Sequence, residues 1–475
     1  MHILFVASEA VPFAKTGGLA DVVGELPKYL VKQGAEVSVI LPLYRRIKEK
    51  YISELSFVSY YFDEMDGKRV YAGLFEYVKD NVKYYFVDND DYFGRDNLYG
   101  YDDDCWRFAF FMKTVVYTIK SKFLNVDVMH LHDWHTAMLA PYIKYNYYSD
   151  GQLNHIKTVL TIHNPMYQGL CDKYYLSKLF YIPMGEWDNG LNRFKDCLSY
   201  LKSGIVFADK ITTVSPTHRN ELLTSEYAYG LEGILNLRQD DFIGIVNGID
   251  YSTWNPKTDK HIVSNYSLYG VNKLKNKEEL QRRFNIEVNR DLPLFGLVSR
   301  FTWQKGIDLL TPIIDQLMER NVELVILGSG DKNYESAFEF FRQKYPNRIG
   351  IYIGYNDELA HQIYAGSDMF LMPSYFEPCG ISQMMAMRYG SLPIVHEVGG
   401  LKDTVVPYNE YTMEGTGFSF KEANPYVFLH TIDYALNFFY NKDVWRKIVN
   451  QAMKANFSWD KSAEQYIKLY QDLCR

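Results

Sequence analysis

Lys15-Thr16-Gly17-Gly18-Leu19-Ala20-Asp21-Val22-Val23 is the stretch on which the reading of the fold turns. Before it, residues 2–7 (HILFVA) form a short apolar run that reads as a buried strand. After it, Leu19, Val22, Val23, Leu26 and Leu30 are spaced as one face of an amphipathic helix. Two glycines between strand and helix allow a tight turn and let a ligand approach the backbone without a Cβ in the way. The helix start offers free N–H groups and a positive dipole end, and Lys15 adds a full charge, so the stretch suits an anion such as phosphate. The plain alternative is a Gly-Gly turn beside a solvated lysine. The pattern is neither a GxGxxG fingerprint nor a loop ending in GK[ST], so it licenses neither a dinucleotide-dehydrogenase nor a P-loop reading.

Working outward, 475 residues are too many for one ordinary core and predict two or three domains. A charged fraction of 23% and a hydrophobic fraction of 47% are those of a globular chain. The net charge of −7, without Lys/Arg blocks, argues against nucleic acid or an anionic membrane as partner, so any anion site must be a local cluster. No apolar run reaches membrane-spanning length, and no signal-peptide pattern precedes the first strand. Cys105, Cys171, Cys197, Cys379 and Cys474 are an odd, scattered set without a CxxC pair; a reduced, cytoplasmic protein with no disulfide or structural zinc is expected.

Alternating segments at 57–62, 69–78 and 83–87, with turn signals at Asp66-Gly67 and Asp80-Asn81, predict antiparallel hairpins inserted in a parallel scheme. Asp102, Asp103 or Asp104 would cap a helix to about Lys122, burying Phe108, Phe111, Val115 and Ile119. Strands are expected at 126–131, 158–162 and 210–214, and residues 166–200 read as loop and short helices. A second set, at 243–246, 294–299, 322–327, 349–353, 369–372 and 392–396, alternates with helical periodicity. The prediction is an α/β chain of two doubly wound, Rossmann-like domains, residues 1–244 and 245–457, with a deep cleft between them. The closing segment, 459–473, is helical; it finishes the second domain or, as we take it, returns to the first.

The polar clusters fall at strand ends, where ligands bind in such sheets. Arg300 ends one strand and Lys305 precedes the next helix, a fork and a point charge for phosphate oxygens. Residues 373–380 carry Glu377, Cys379 and Gly380; Glu377 can meet sugar hydroxyls or developing positive charge, or simply favour a helix start. A thiolate would be favoured for Cys379 at that helix start, although no local base accompanies it. His130, His132 and His135 come close to a metallo-hydrolase spacing but misplace the aspartate, so no metal is expected and His130 reads as core. His132, Asp133, Trp134, His163 and Asn164 read as groups for sugar hydroxyls, with Trp134 a stacking plane, and Tyr355 as a plane for a base.

Taken together, KTGGLADVVGELP (15–27), HDWH (132–135), TIHN (161–164), VNGID (246–250), SRFTWQKG (299–306), IGYND (353–357), PSYFEPCGISQM (373–384) and EVGGLKDTV (397–405) resemble the bacterial and plant glycogen/starch synthases. These are retaining glucosyltransferases of the two-Rossmann-domain GT-B type. The resemblance implies transfer of glucose from ADP-glucose to the non-reducing end of an α-1,4-glucan such as glycogen, with no metal or other cofactor. It implies that Lys15 and Gly18 meet the donor phosphate, that Arg300 and Lys305 hold the diphosphate, and that Tyr355 stacks on adenine. Asp133, His163, Asn247 and Glu377 would surround the glucose, with Asp21, Trp134, Asn164, Cys379 and Gly380 in the same motifs. RFTWQKG stands where the family more often has RLTxQKG, leaving both charges in place. The rival readings are a GT-B enzyme using UDP-glucose or a small acceptor, a phosphorylase, and a non-catalytic sugar-binding protein; the oligomeric state stays open.

Overall fold

The first apolar run folds as β1 (His2–Val6), buried at every residue, in a computed structural model that describes residues 1–122 and 124–475. Its neighbours in chain order are β2 (Glu36–Pro42), β3 (Ser56–Met65), β4 (Lys68–Lys79), β5 (Val82–Asp88), β6 (Val128–His132) and β7 (Lys157–Ile162). A small sheet of β8 (Leu170–Cys171), β9 (Arg193–Phe194) and β10 (Cys197–Ser199) precedes β11 (Lys210–Thr213) and β12 (Phe242–Gly244). The main sheet runs β12-β11-β7-β6-β1-β2-β5-β4-β3. All its pairs are parallel except β3–β4 and β4–β5. Both hairpins close through two residues with positive φ: Asp66 (52°) and Gly67 (78°), then Asp80 (52°) and Asn81 (59°). That is the turn geometry whose twist matches paired strands.

The helix Gly18–Lys32 buries Leu19, Val22, Val23, Leu26 and Leu30, the face expected from its spacing. The helix Asp104–Ser121 likewise buries Phe108, Phe111, Val115 and Ile119. Residues 166–200 carry the expected short helices and, beyond expectation, the small sheet.

The second sheet comprises β13 (Leu294–Phe301), β14 (Glu323–Gly330), β15 (Ile349–Ile353), β16 (Met369–Met372), β17 (Leu392–His396) and β18 (Phe418–Phe420). Its order is β15-β14-β13-β16-β17-β18, parallel throughout. Counted from its first strand this is 3-2-1-4-5-6, the doubly wound order with its switch point between β13 and β16. Residues 243–246 do not open this sheet as expected: β12 pairs with β11 in the first one.

The chain divides into two compact units, Met1–Ile245 with Trp459–Arg475, and Val246–Ser458. The helix Trp459–Leu473 buries Ala463, Tyr466 and Tyr470 and packs on the helix Gly18–Lys32. Tyr470 Oη lies 2.7 Å from His130 Nδ1, so the last helix is bonded into the first unit's core.

Cys105 and Cys171 form a disulfide, with Cα atoms 6.0 Å apart, which corrects the expectation of none. The pair is 66 residues apart in sequence, and only the docking of β8 beside the helix Asp104–Ser121 brings the thiols together. Among the described residues no helix is long and apolar enough to cross a membrane.

Candidate active site

In the first unit the site residues lie on the loops after β1, β6 and β7, where the strand order turns about β1. The loop after β1 is held at two points. Phe13 inserts edge-on among Tyr51, Tyr77, Tyr84 and Phe86, with ring centres 4.9–5.9 Å apart. The Glu9 carboxylate accepts the Thr16 backbone N–H, and its Oε1 accepts the hydroxyls of Thr16 and Tyr99, each at 2.7 Å. Lys15 Nζ pairs with Asp21 Oδ1 at 2.7 Å, so Asp21 holds the lysine over the first helical turn. Gly17 has φ −151°, extended backbone that any residue adopts, and Gly18 is already helical. The turn itself therefore does not require them; a Cβ at either position meets nothing within 4 Å, so the glycines leave open space before the helix N–H groups.

Asp133, following β6, has φ 56° and ψ −173°, a backbone state costing about 1–3 kcal/mol for a non-glycine. Its Oδ1 accepts the His163 peptide N–H at 2.7 Å, tying the β6 and β7 loops together. Burial pushes its carboxyl up to about 7, against the His163 and Asn164 peptide N–H groups that pull it down. His163 Nε2 lies 2.9 Å from His132 Nδ1, and His130 bonds Thr161 and Tyr470. Burial drives His163 and His130 down to about 3 and lowers His132 and His135 as well. His163 is thus a neutral hydrogen-bonding group at working pH, not an imidazolium acid.

Neutral burial of these histidines has a consequence for stability. Their folded pKa lies below the unfolded value near 6.5, so the unfolded chain takes up protons first as pH falls. That stability is present above about 6.5 and is lost as pH falls through this range, down to about 3 for His130 and His163. Asp133, raised rather than lowered, acts in the opposite sense as pH falls from about 7 toward 4. Four histidines lose stability as pH falls and one carboxyl returns part of it, so the balance is a net loss. We expect the melting temperature of the first unit to fall steeply between pH 6.5 and 5; a flat thermal-unfolding profile over that range would contradict it.

In the second unit the site lies at the β13/β16 switch point. Arg300 is exposed near the end of β13, its guanidinium unpaired among the described residues. Lys305 ends a short 3-10 turn, Trp303–Lys305, and its Nζ lies 2.5 Å from Glu377 Oε2. Ser374 Oγ donates to the same oxygen at 3.1 Å. Gln304 fixes the loop after β16 by accepting the Tyr375 N–H and donating to the Phe376 carbonyl, both at 3.0 Å. Behind that loop the Gly400 N–H donates to the Glu377 carbonyl at 3.1 Å. Asn247 is buried, and its Oδ1 has no hydrogen-bond partner among the described residues. Tyr355 is 84% exposed after β15. A cation, a carboxylate and a free guanidinium on adjacent strand ends can bind a diphosphate and the sugar attached to it.

A family model described as the starch synthase catalytic domain matches residues 2–237, and one described as glycosyl transferases group 1 matches residues 278–445. A glycogen synthase of Clostridium novyi is 46% identical to this chain, over 100% of it and 99% of the relative. The chain belongs to the glycogen and starch synthase family. A second member, the glycogen synthase of Clostridium kluyveri, is 44% identical over 100% of both chains. The catalytic domain of starch synthase IV from Arabidopsis thaliana, solved bound to ADP and acarbose, superposes with a TM-score of 0.91 at 32% identity, covering 100% of this chain and 99% of that one. A sucrose-phosphate synthase from Thermosynechococcus elongatus, at 17% identity and a TM-score of 0.62 over 99% and 98% of the chains, shares the fold. The architecture is accordingly the GT-B pair of Rossmann-like domains.

Set against the family's motifs, the expected residues gather in two groups. Lys15, Gly18, Asp21, Asp133, His163 and Asn164 lie on the first unit's loops; Asn247, Arg300, Lys305, Tyr355, Glu377, Cys379 and Gly380 belong to the second. Three roles are corrected. Trp134 is not a free plane: His135 stacks on it at 4.1 Å, and a Cβ on Gly169 would lie 2.4 Å from its ring. His132 is fully buried and backs His163 instead of reading hydroxyls. Cys379 is not a thiolate, because burial pushes its thiol up to about 12, outweighing the Asn247 backbone contact. Among the described residues no group of three or more His, Cys, Asp and Glu side chains is placed to hold a metal. Glu9, Tyr99, Gly399 and Gly400 received no role from sequence; Glu9 carried a signal as a carboxylate on the loop after β1, and the two glycines as part of the 397–405 motif.

Proposed function

We propose that this glucosyltransferase moves glucose from ADP-glucose to the non-reducing end of an α-1,4-glucan, with retention at the anomeric carbon. The observation that carries the reading is the Lys305–Glu377 contact of 2.5 Å beside the unpaired Arg300 at the β13/β16 switch point. In this reading Arg300 and Lys305 take the diphosphate. Their attraction strengthens as the anomeric C–O bond breaks and charge grows on the departing ADP, which is differential transition-state binding. Glu377 and the open Asn247 oxygen face the glucose hydroxyls, and Tyr355 covers adenine. Lys15 and the helix N–H groups after Gly18 add the first domain's share of the phosphate contact. Asp133 and His163, locked to each other, hold the sugar, His163 as a neutral group.

Retention is assigned to same-face attack: the acceptor's 4-hydroxyl oxygen bonds to the anomeric carbon as ADP leaves, and its proton passes to the departing phosphate oxygen. No residue is assigned as a covalent nucleophile. The absence of a metal requirement is part of the proposal, as is the cytoplasm as the site of the reaction.

The test is incubation with glycogen and either ADP-glucose or UDP-glucose in EDTA, with nucleotide release and chain extension measured. Transfer from ADP-glucose is expected at a kcat/KM at least about tenfold above that from UDP-glucose. No transfer from either donor would overturn the enzymatic reading, and preference for UDP-glucose would overturn the donor.

A further inference from the structure

We infer that Glu9 is a positioning residue that holds the phosphate loop, residues 15–18, in its binding shape through Thr16 and Tyr99. The inference rests on the reading of that loop as a contact for the donor phosphate. Glu9 is 4% exposed, and a buried carboxylate is tolerated only when its oxygens are well hydrogen-bonded. It has no ion-pair partner among the described residues; its partners are the Thr16 N–H, the Thr16 hydroxyl and the Tyr99 hydroxyl. Two of the three donors thus come from the single residue between Lys15 and Gly17. Tyr99, whose Oη also lies 2.8 Å from Ser8 Oγ, fixes the carboxylate from behind, with its ring 4.6 Å from that of His135.

The charge itself is unfavourable here. A carboxylate beneath a phosphate site repels the ligand, so its retention is explained by geometry: it orders the loop rather than attracting the anion. Residues 10–14 do not need it, since Ala10 and Ala14 exchange backbone hydrogen bonds at 3.1 and 2.9 Å and Phe13 is buried among aromatic rings. Between that anchor and the helix, residues 15–18 are held by Glu9 and by the Lys15–Asp21 pair, and that pair is available to open when a phosphate competes for the lysine.

The experiment uses the whole chain with Glu9→Ala, Glu9→Gln and Thr16→Val. Glu9→Ala is expected to lower kcat/KM for ADP-glucose about 100-fold while leaving the KM for glycogen within about twofold. Glu9→Gln should recover to within about tenfold of the parent, because its carbonyl still accepts the Thr16 N–H and its amide can donate to both hydroxyls. Amide exchange in the peptide spanning residues 15–20 should quicken in Glu9→Ala and return toward the parent rate in Glu9→Gln. Parental kcat/KM for the donor in Glu9→Ala, or an equal loss toward glycogen, would overturn the inference. If Glu9→Ala does not fold, Thr16→Val, an exposed substitution, carries the test: a loss of about threefold to tenfold supports it, and none overturns it. If the parent chain transfers no glucose, the functional reading falls by itself; the exchange arm still decides the anchor, and unchanged exchange would refute it.

Discussion

Lys305→Ala is expected to lower kcat/KM for the sugar-nucleotide donor roughly 1000-fold, with the loss in kcat rather than in donor KM. Lys305 does two things from one position. Its ammonium lies 2.5 Å from Glu377 Oε2, with the two side chains only 18% and 9% exposed. It is also, in the proposed reaction, one of the cations on the departing diphosphate. Alanine removes the transition-state charge and leaves Glu377, among the described residues, with the Ser374 hydroxyl as its remaining side-chain donor. The uncompensated carboxylate then opposes the negative charge that grows on the departing diphosphate in the transition state. Steady-state kinetics with a parallel melting curve checks this. Near-parental turnover in a folded variant would remove Lys305 from its role.

Gly399→Ala is expected to cost at least about 100-fold in turnover and to lower the melting temperature, although Gly399 carries no functional group. Its φ is 42°, which an L side chain adopts at a cost of about 1–3 kcal/mol. The space is closed too: an added Cβ would lie 2.1 Å from the Glu377 carbonyl oxygen and 2.9 Å from its carbonyl carbon. Those neighbours are backbone, so relief requires displacing the segment that aims Glu377 at Lys305. Both readouts move together in this picture. A variant that melts lower but turns over normally would show that the loop after β16 is not positioned from behind.

The fold was readable from sequence where local chemistry and global topology agree. The 66–67 and 80–81 turns announced hairpins because only such residues accept positive φ at both turn positions. The alternation after residue 294 announced a parallel sheet because buried strands separated by helices have few other arrangements. β12 was misassigned because a three-residue strand carries no periodicity, and its neighbour is decided by tertiary pairing with β11. The Cys105–Cys171 bond was missed for a related reason: spacing along the chain says nothing about two thiols joined by the docking of separate elements.

Site residues were legible as strand-end polar groups, but their states were not. Sequence could not tell that Trp134 is wedged against Gly169, or that Cys379 is too well buried to ionise. Nor could it show that Gly17 and Gly18 matter for the space they leave rather than for the turn they make.

The return of the helix Trp459–Leu473 to the first unit bears on how the chain is made. Synthesis delivers residues 1–245 first, yet that unit includes residues 459–475. The hydroxyl that bonds His130 belongs to Tyr470, 340 residues later. The unit translated first therefore cannot finish its core on the ribosome, and the second unit, Val246–Ser458, is complete in sequence before it. A polypeptide that stops after Ser458, by stalling or by a premature stop codon, would carry an intact second unit and an unfinished first. Quality control would meet the defect at the amino-terminal end of a chain damaged at its carboxyl terminus.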